Sequence, residues 1–277
     1  SASPMITSGM MLGGRPVYDI TIASNGGVWQ RSVDATQVPT AIPVLLILRV
    51  NSAIERQSTS TSLGAIHIDS LANGSEVQIF NTGYLLGKGG AGGAGGSTAG
   101  FTPAASAGGP AIRADFTGLL RITNSAGHIW GGGGGGGGGG ECGIWFAPDN
   151  VYEPDFGGSG GGGGAGGGAG GAAGTELNGN GVAGTAGTTG SVGTNGTGGD
   201  KTTHSQSGDG ASGGAYGTAG STGSSGTKHG GGSSDGASYA PGGTGGAAGY
   251  AILHNAGTTV SFVNGSGSPN VKGTVGV

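Results

Sequence analysis

"HIWGGGGGGGGGGECGIWF", residues 128–146, sets ten consecutive glycines between bulky apolar residues. Such a run is either a flexible linker or a structure that only glycine can build. Ordering a residue costs about 1 to 2 kcal/mol of backbone entropy, and an all-glycine tract has no side chains whose burial would offset that cost. What remains is hydrogen bonding, a net of about 0.5 to 1.5 kcal/mol per bond, and Cα–H contacts to carbonyls of about 0.5 to 1 kcal/mol. The terms balance only when nearly every amide is bonded. An extended three-residue helix of the polyproline II type has no internal hydrogen bonds, so its amides must bond to neighbours. Without a Cβ such helices approach closely, for the same steric reason that puts glycine on the axis of collagen. The run predicts one rod of a laterally bonded bundle, about 31 Å long for ten residues.

The rest of the chain repeats the signal. Glycine supplies 75 of 277 residues, against roughly 7% in ordinary proteins. A period of three runs through Gly87, Gly90, Gly93 and Gly96, and again through Gly181, Gly184, Gly187, Gly190, Gly193, Gly196 and Gly199. It returns at Gly214, Gly217, Gly220, Gly223 and Gly226, and at Gly243, Gly246 and Gly249. A random linker does not keep this phase. Collagen is the competing reading, but residues 181–199 contain no proline to stiffen a triple helix.

Composition excludes several classes. Only 9% of residues are charged and the net charge is -4, so there is no basic patch for nucleic acid and no highly charged disordered chain. The longest apolar run, "IPVLLILRV" from Ile42 to Val50, is too short to span a bilayer. One cysteine, Cys142, rules out an intrachain disulfide framework. His67, His128, His204, His229 and His254 lack metal-ligand spacing, and nothing points to a metal or cofactor.

Outside the tracts the pattern is β. "VYDITI" alternates apolar and polar residues, "PVLLILRV" reads as a fully buried strand, and "AIHI" and "EVQIF" alternate again. A weak internal repeat follows: Ala-Ile, a turn, then an apolar-x-apolar-x-Asn strand at Val77, Ile79, Asn81; at Leu120, Ile122, Asn124; and at Val260, Phe262, Asn264. Glycine tracts follow the first two copies directly. The expected architecture is mainly irregular and β: an N-terminal β module (1–85), a bundle of glycine rods (86–250) with supporting strands at 111–130, a closing strand segment (251–277), and almost no α-helix. No long β-solenoid is legible.

At "LLRITNSAGHIWGGGGGGGGGG" the sequence resembles the glycine-rich adhesins at the tips of long tail fibres in T-even-like bacteriophages, through Leu120, Ile122, Asn124, Gly127, Ile129 and the glycines that follow. Later tracts, separated by variable polar or aromatic loops, extend the likeness over about residues 112–249. The resemblance implies a polyglycine II sandwich, joined through an N-terminal domain to a tail-fibre shaft protein, whose variable loops recognise a receptor on the bacterial surface. The location implied is the virion, at the tail-fibre tip, with no membrane insertion.

Loops held on a rigid scaffold are where binding residues collect. "ECGIWFAPDNVYEPDF" concentrates aromatics in a chain that is 5% aromatic. Trp145 and Tyr152 read as rigid anchors beside Ile144 and Phe146, with Asp149, Asn150 and Glu153 as polar rim. A hydrophobic plug closing one bundle end, joined by Trp130, is the competing reading. If rods alternate direction, "DKTTHSQSGD", with Lys201, His204 and Gln206, shares that end, unless a turn inside 181–199 reverses it. Trp29 is the candidate for fibre attachment, or else a plug in the module's own core.

Parts of the sequence are compatible with three other functions. The loop carboxylates Glu141, Asp149, Glu153 and Asp155 would allow a polysaccharide-degrading enzyme if two stood about 5 to 9.5 Å apart, yet acids in a short loop are usually solvated; the expected protein is not an enzyme. Thr185, Thr188, Ser191, Thr194 and Thr197 fall every third residue, and this stretch resembles the ice-binding antifreeze proteins of springtails. A purely structural glycine-rich protein is the last alternative.

Overall fold

The computed structural model describes residues 6–12, 14–97, 104–146, 151–175, 181–196, 200–201, 205–228 and 238–277. The chain begins with β1 (Ile6–Leu12), β2 (Arg15–Ile22), β3 (Trp29–Gln30), a short helix α1 (Arg31–Asp34), β4 (Leu45–Val50), β5 (Glu55–Gln57), β6 (Ile66–Ile68), β7 (Ser75–Asn81) and β8 (Tyr84–Leu86). After a first glycine tract come β9 (Ile112–Ala114), β10 (Gly118–Thr123) and β11 (His128–Trp130). The long glycine-rich stretch then carries β12 (Cys142–Phe146), β13 (Val151–Phe156), β14 (Asp200–Lys201), β15 (Ser205–Gln206), β16 (Thr227–Lys228) and β17 (Ser238–Tyr239). The chain closes through β18 (Ile252–His254), β19 (Thr258–Asn264), β20 (Val271–Lys272) and β21 (Val275–Gly276).

Two compact units result, one of residues 1–87, 109–131 and 250–277, the other of 88–108 and 132–249. This division differs from the sequence reading, which put 111–130 within the glycine-rich region and set 251–277 apart. The first unit is a three-faced parallel solenoid. Its sheets run β1-β2-β4-β7-β10-β19, β5-β8-β11-β20 and β3-β6-β9-β18-β21. Every neighbouring pair in them is parallel except β1 with β2. From β4 onward the chain visits the three sheets in turn, and both glycine-rich excursions leave after a strand of the second sheet and return to the third.

The internal repeat is the coil of this solenoid. Ile66, Ile112 and Ile252 stand in register on the third sheet. Val77, Leu120 and Val260 do so on the first, followed by Ile79, Ile122 and Phe262. The repeat asparagines form a buried ladder: Asn81 Nδ2 donates to Asn124 Oδ1 at 2.9 Å, and Asn124 Nδ2 donates to the Gly265 carbonyl at 3.1 Å. Side-chain amides that bond one coil to the next satisfy groups that would otherwise be costly to bury. Asn264 departs from the ladder and is exposed, because the register of β10 and β19 shifts between Ile122 and Thr123.

Strand β4 is less enclosed than its apolar run predicts. Leu46, Leu48 and Val50 face the core, while Arg49 is exposed, pairs with Asp19 at 2.8 Å and lies over the Phe80 ring. The only helix among the described residues, α1, sits at the β2 end of the solenoid. There Arg31 is buried and meets Asp69 at 3.3 Å, and Asp69 also accepts from Gln30 Nε2 at 2.8 Å and Ser32 N at 3.0 Å. Burial pushes the Asp69 carboxyl up, but the hydrogen bonds and the charge of Arg31 outweigh it and hold the group below its ordinary value of 3.8. A depressed carboxylate contributes stability above the ordinary value, and loses it as pH falls through the folded one. The solenoid is therefore expected to melt at lower temperature as pH drops below 3.8, and Asp69→Asn should flatten part of that acid slope. An identical slope in the variant would remove Asp69 from the account.

The second unit is built of segments that are neither helix nor strand: 88–97, 104–108, 132–140, 157–164, 168–175, 181–188, 191–196, 207–215, 218–226 and 240–249. Hydrogen bonds between them recur every third residue. Gly90, Gly93 and Gly96 donate to the carbonyls of Gly133, Gly136 and Gly139, while Gly164, Gly161 and Gly158 donate back to Gly90, Gly93 and Gly96. This is the period of a helix with three residues per turn, bonded laterally.

Rod 132–140 lies among six neighbours, 88–97, 104–108, 157–164, 207–215, 218–226 and 240–249. A Cβ at Gly135 would fall on the carbonyl of Ala91, one at Gly136 on that of Ala211, and one at Gly137 on that of Gly243. All three edges of the helix are closed, which is why the glycines are unbroken. Outer rods need fewer. In 181–188, a Cβ at Gly181, Gly184 or Gly187 would strike the carbonyl of Gly158, Gly161 or Gly164, whereas Val182, Ala183, Thr185 and Ala186 are exposed. The number of glycines per turn thus reports how many edges of a rod are covered.

Candidate functional site

Register fixes the direction of each rod within the second unit. Rods 88–97 and 132–140 run the same way, and 157–164 runs back against both. A turn at 165–167, where Gly166 and Gly167 have φ of 100° and 78°, reverses the chain into 168–175. Rod 181–188 returns parallel to 157–164, and a second turn at 189–191 sends 191–196 back again. Rods 207–215 and 240–249 run antiparallel to 132–140, with 218–226 opposite to 207–215. The consequence is a segregated bundle. The turns at 165–167, 189–191 and 216–218 lie at one end, and strands β12 to β17 all lie at the other.

A turn inside 181–199, taken alone, would have parted the two candidate loops. The earlier turn at 165–167 cancels it, so both reach the same end. Nothing in composition marks either turn within glycine-rich sequence.

β12 and β13 pair antiparallel where the sequence was read as a loop. Trp145 stands opposite Tyr152, Ile144 opposite Glu153 and Phe146 opposite Val151. The cue is local: "IWF" and "VY" have high strand preference and flank "APDN", a cluster of turn formers. β17 joins the other side of β12, with Cys142 opposite Tyr239 and Gly143 opposite Ser238. A second three-stranded sheet, β14-β15-β16, sets Lys201 opposite Ser205, and Gln206 opposite Asp200 and Thr227. β15 is in contact with β12, which brings the two sheets together. Of the candidate residues, Ile144, Trp145, Phe146, Tyr152, Glu153, Lys201 and Gln206 therefore share one end of the bundle. Asp149, Asn150 and His204 lie outside the described residues. Lys228 and Tyr239, which sequence reasoning did not single out, join this end through β16 and β17.

Other candidates are placed elsewhere. Trp29, on β3, is 3% exposed and belongs to the solenoid core, so it is a plug and not a surface anchor for a fibre. Trp130 is in the solenoid too: its indole donates to the Pro269 carbonyl at 2.8 Å, Lys272 lies 4.0 Å from its ring centroid, and Tyr84 and His128 stack beside it. It belongs to the solenoid unit and not to the glycine-rich one. Glu141 is buried at 4% exposure, unlike a solvated loop acid. The threonine row is interrupted. Because 181–196 folds back, Thr185 pairs with Thr194 and Thr188 with Ser191, hydroxyl to hydroxyl at 2.9 Å. Such a folded pair of rods does not present the single straight row that the ice-binding alternative requires.

Among the described residues no group of three or more histidine, cysteine or acidic side chains is placed to hold a metal ion. Among them, too, no helix is long and apolar enough to cross a membrane.

The family model for phage tail fibre adhesin Gp38 matches residues 17–276. A search of curated proteins gives no match. Among solved structures, the crystal structure of the gp37-gp38 adhesin tip complex of the bacteriophage S16 long tail fiber contains a chain of similar fold, 21% identical, with a TM-score of 0.50 over 94% of this chain and 81% of that chain. A family match running from β2 to β21, through both units, makes the chain a member of the phage tail fibre adhesin Gp38 family.

Proposed function

We propose that this adhesin binds a receptor on the host cell surface, an outer-membrane protein or a polysaccharide, through the strand-bearing end of its glycine-rich unit during adsorption, and without catalysis. The observation that carries the reading is the segregation of the bundle: every described strand of that unit lies at one end, and the turns at 165–167, 189–191 and 216–218 lie at the other. The rods act as polyglycine II helices, a stiff support that leaves the connecting segments free to vary in sequence. Trp145 and Tyr152, opposite each other in register, are the proposed anchors, with Ile144 and Phe146 the neighbouring candidates on β12. Glu153, Lys201 and Gln206, with Asp149, Asn150 and His204, supply the polar contacts.

The solenoid unit attaches the adhesin to a tail-fibre shaft protein, which places it at the fibre tip of the virion. Support comes from the family and from the solved gp37-gp38 complex, in which the chain of similar fold is found together with another fibre protein. Purified protein, added in excess to cells sensitive to the phage that encodes it, is expected to occupy the receptor and slow adsorption of that phage. Saturating protein that leaves adsorption at its normal rate would exclude the receptor-binding role.

A further inference from the structure

The turns that feed the first sheet of the solenoid recur coil after coil. Gly74 donates to the Thr117 carbonyl and Gly118 to that of Gly257, both at 3.1 Å, so the turns before β7, β10 and β19 are bonded one to the next. They contribute to a cleft of about 470 Å³ on the side of the solenoid, crossing its coils, within the size range of small-molecule sites. Gly74 has φ of 81° and open space where a Cβ would stand. A turn that requires glycine therefore also keeps the cleft open.

The polar groups of this cleft are unequally occupied. Arg121 and Gln78 both donate to Glu76 Oε1 at 2.9 Å, which leaves Oε2 as a free acceptor. Arg15 lines the same cleft without pairing to Glu76, and has no hydrogen bond or ion pair among the described residues. The hydroxyls of Thr117 and Thr259, both exposed, have none either. Leu119, half-buried, is the one apolar side chain of the lining, which contains no aromatic ring.

We propose that this cleft binds an acidic sugar residue of the host surface polysaccharide, a contact made by the solenoid and independent of the receptor-binding end. An unpartnered guanidinium is a planar fork of donors that accepts a carboxylate in bidentate fashion. Glu76 Oε2 and the two threonine hydroxyls suit the hydroxyl groups of a sugar, and Leu119 suits the C–H face of its ring. Bare phosphate or sulfate would meet the negative charge of Glu76 and offer its free oxygen no hydrogen. A nucleobase would find no ring to stack on, and a neutral sugar would leave Arg15 unmatched.

Titration of the purified full-length protein with glucuronic acid, followed by NMR, is expected to show saturable binding. Glucose and inorganic phosphate should each bind about tenfold more weakly or less. Arg15→Ala should weaken glucuronic acid about tenfold with the melting temperature unchanged, and Thr259→Val about threefold. Arg49→Ala, on the same sheet but outside the cleft, should bind like wild type. Trp145→Ala with Tyr152→Ala should also keep glucuronic acid binding, because the cleft lies in the other unit. Unchanged binding by Arg15→Ala, or loss of binding in the Trp145 and Tyr152 variant, would overturn the site. Glucose or phosphate as tight as glucuronic acid would overturn the acidic-sugar assignment. No binding by wild-type protein would remove the cleft as a sugar site, while competition of the same protein with phage adsorption would still report on the receptor end.

Discussion

Gly135→Val is expected to collapse the glycine-rich unit, lowering its stability by about 3 kcal/mol or more, while Ser221→Val changes it by no more than about 0.5 kcal/mol. The two residues lie on rods that touch, and both bond through the backbone: Gly135 donates to Ser106, and Ser221 accepts from Gly137. They differ in what surrounds the Cβ. At Gly135 that position is filled by the Ala91 carbonyl, whereas the Ser221 side chain is exposed. The central rod has no free edge toward which to shift, so a side chain there forces apart rods that are each bonded to others. Circular dichroism melting and limited proteolysis of the two variants would measure the contrast. Equal stabilities would mean that close backbone approach is not what holds the rods together.

Trp145→Ala with Tyr152→Ala should cut adsorption by about thirtyfold, the equivalent of removing a binding hot spot of about 2 kcal/mol. The pair stands in register on the β12–β13 hairpin, so both anchors are removed from one place. An internal plug would behave differently: losing a buried tryptophan costs about 3 kcal/mol of stability, and the melting temperature would fall. Particles that carry the folded double variant and adsorb at the normal rate would eliminate these residues as receptor anchors.

The rods were legible in sequence because their signal is local and repeated. A glycine every third residue sets one edge of a rod against a neighbour, and the unbroken run at 131–140 marks a rod enclosed on all sides. The solenoid was not legible. Strands such as β6, β8 and β9 have three residues each, too few for alternation to show, and the coil that joins β11 to β18 is interrupted by the whole of 132–249. Its trace survived only as the Ala-Ile and Asn repeat, whose register the structure explains. Rod direction was hidden for another reason: two of the three reversals turn on glycines with positive φ, Gly166 and Gly167 in one and Gly217 in another, and where glycine is everywhere no single one stands out. The aromatic hairpin could be located but not shaped. Trp29, for which sequence allowed either an interface or a core position, fills the interior.

The central rod's enclosure by carbonyls also fixes the thermodynamic character of the unit around it. Heat capacity rises on unfolding when apolar surface becomes hydrated, and falls when polar surface does. Separating rods made of glycine, alanine, serine and threonine exposes mostly amides, so the increment per residue is small and the free energy of unfolding changes gently with temperature. A unit of this kind has little hydrophobic driving force to lose on cooling. Its melting curve is expected to show a small heat-capacity change and little loss of stability on cooling.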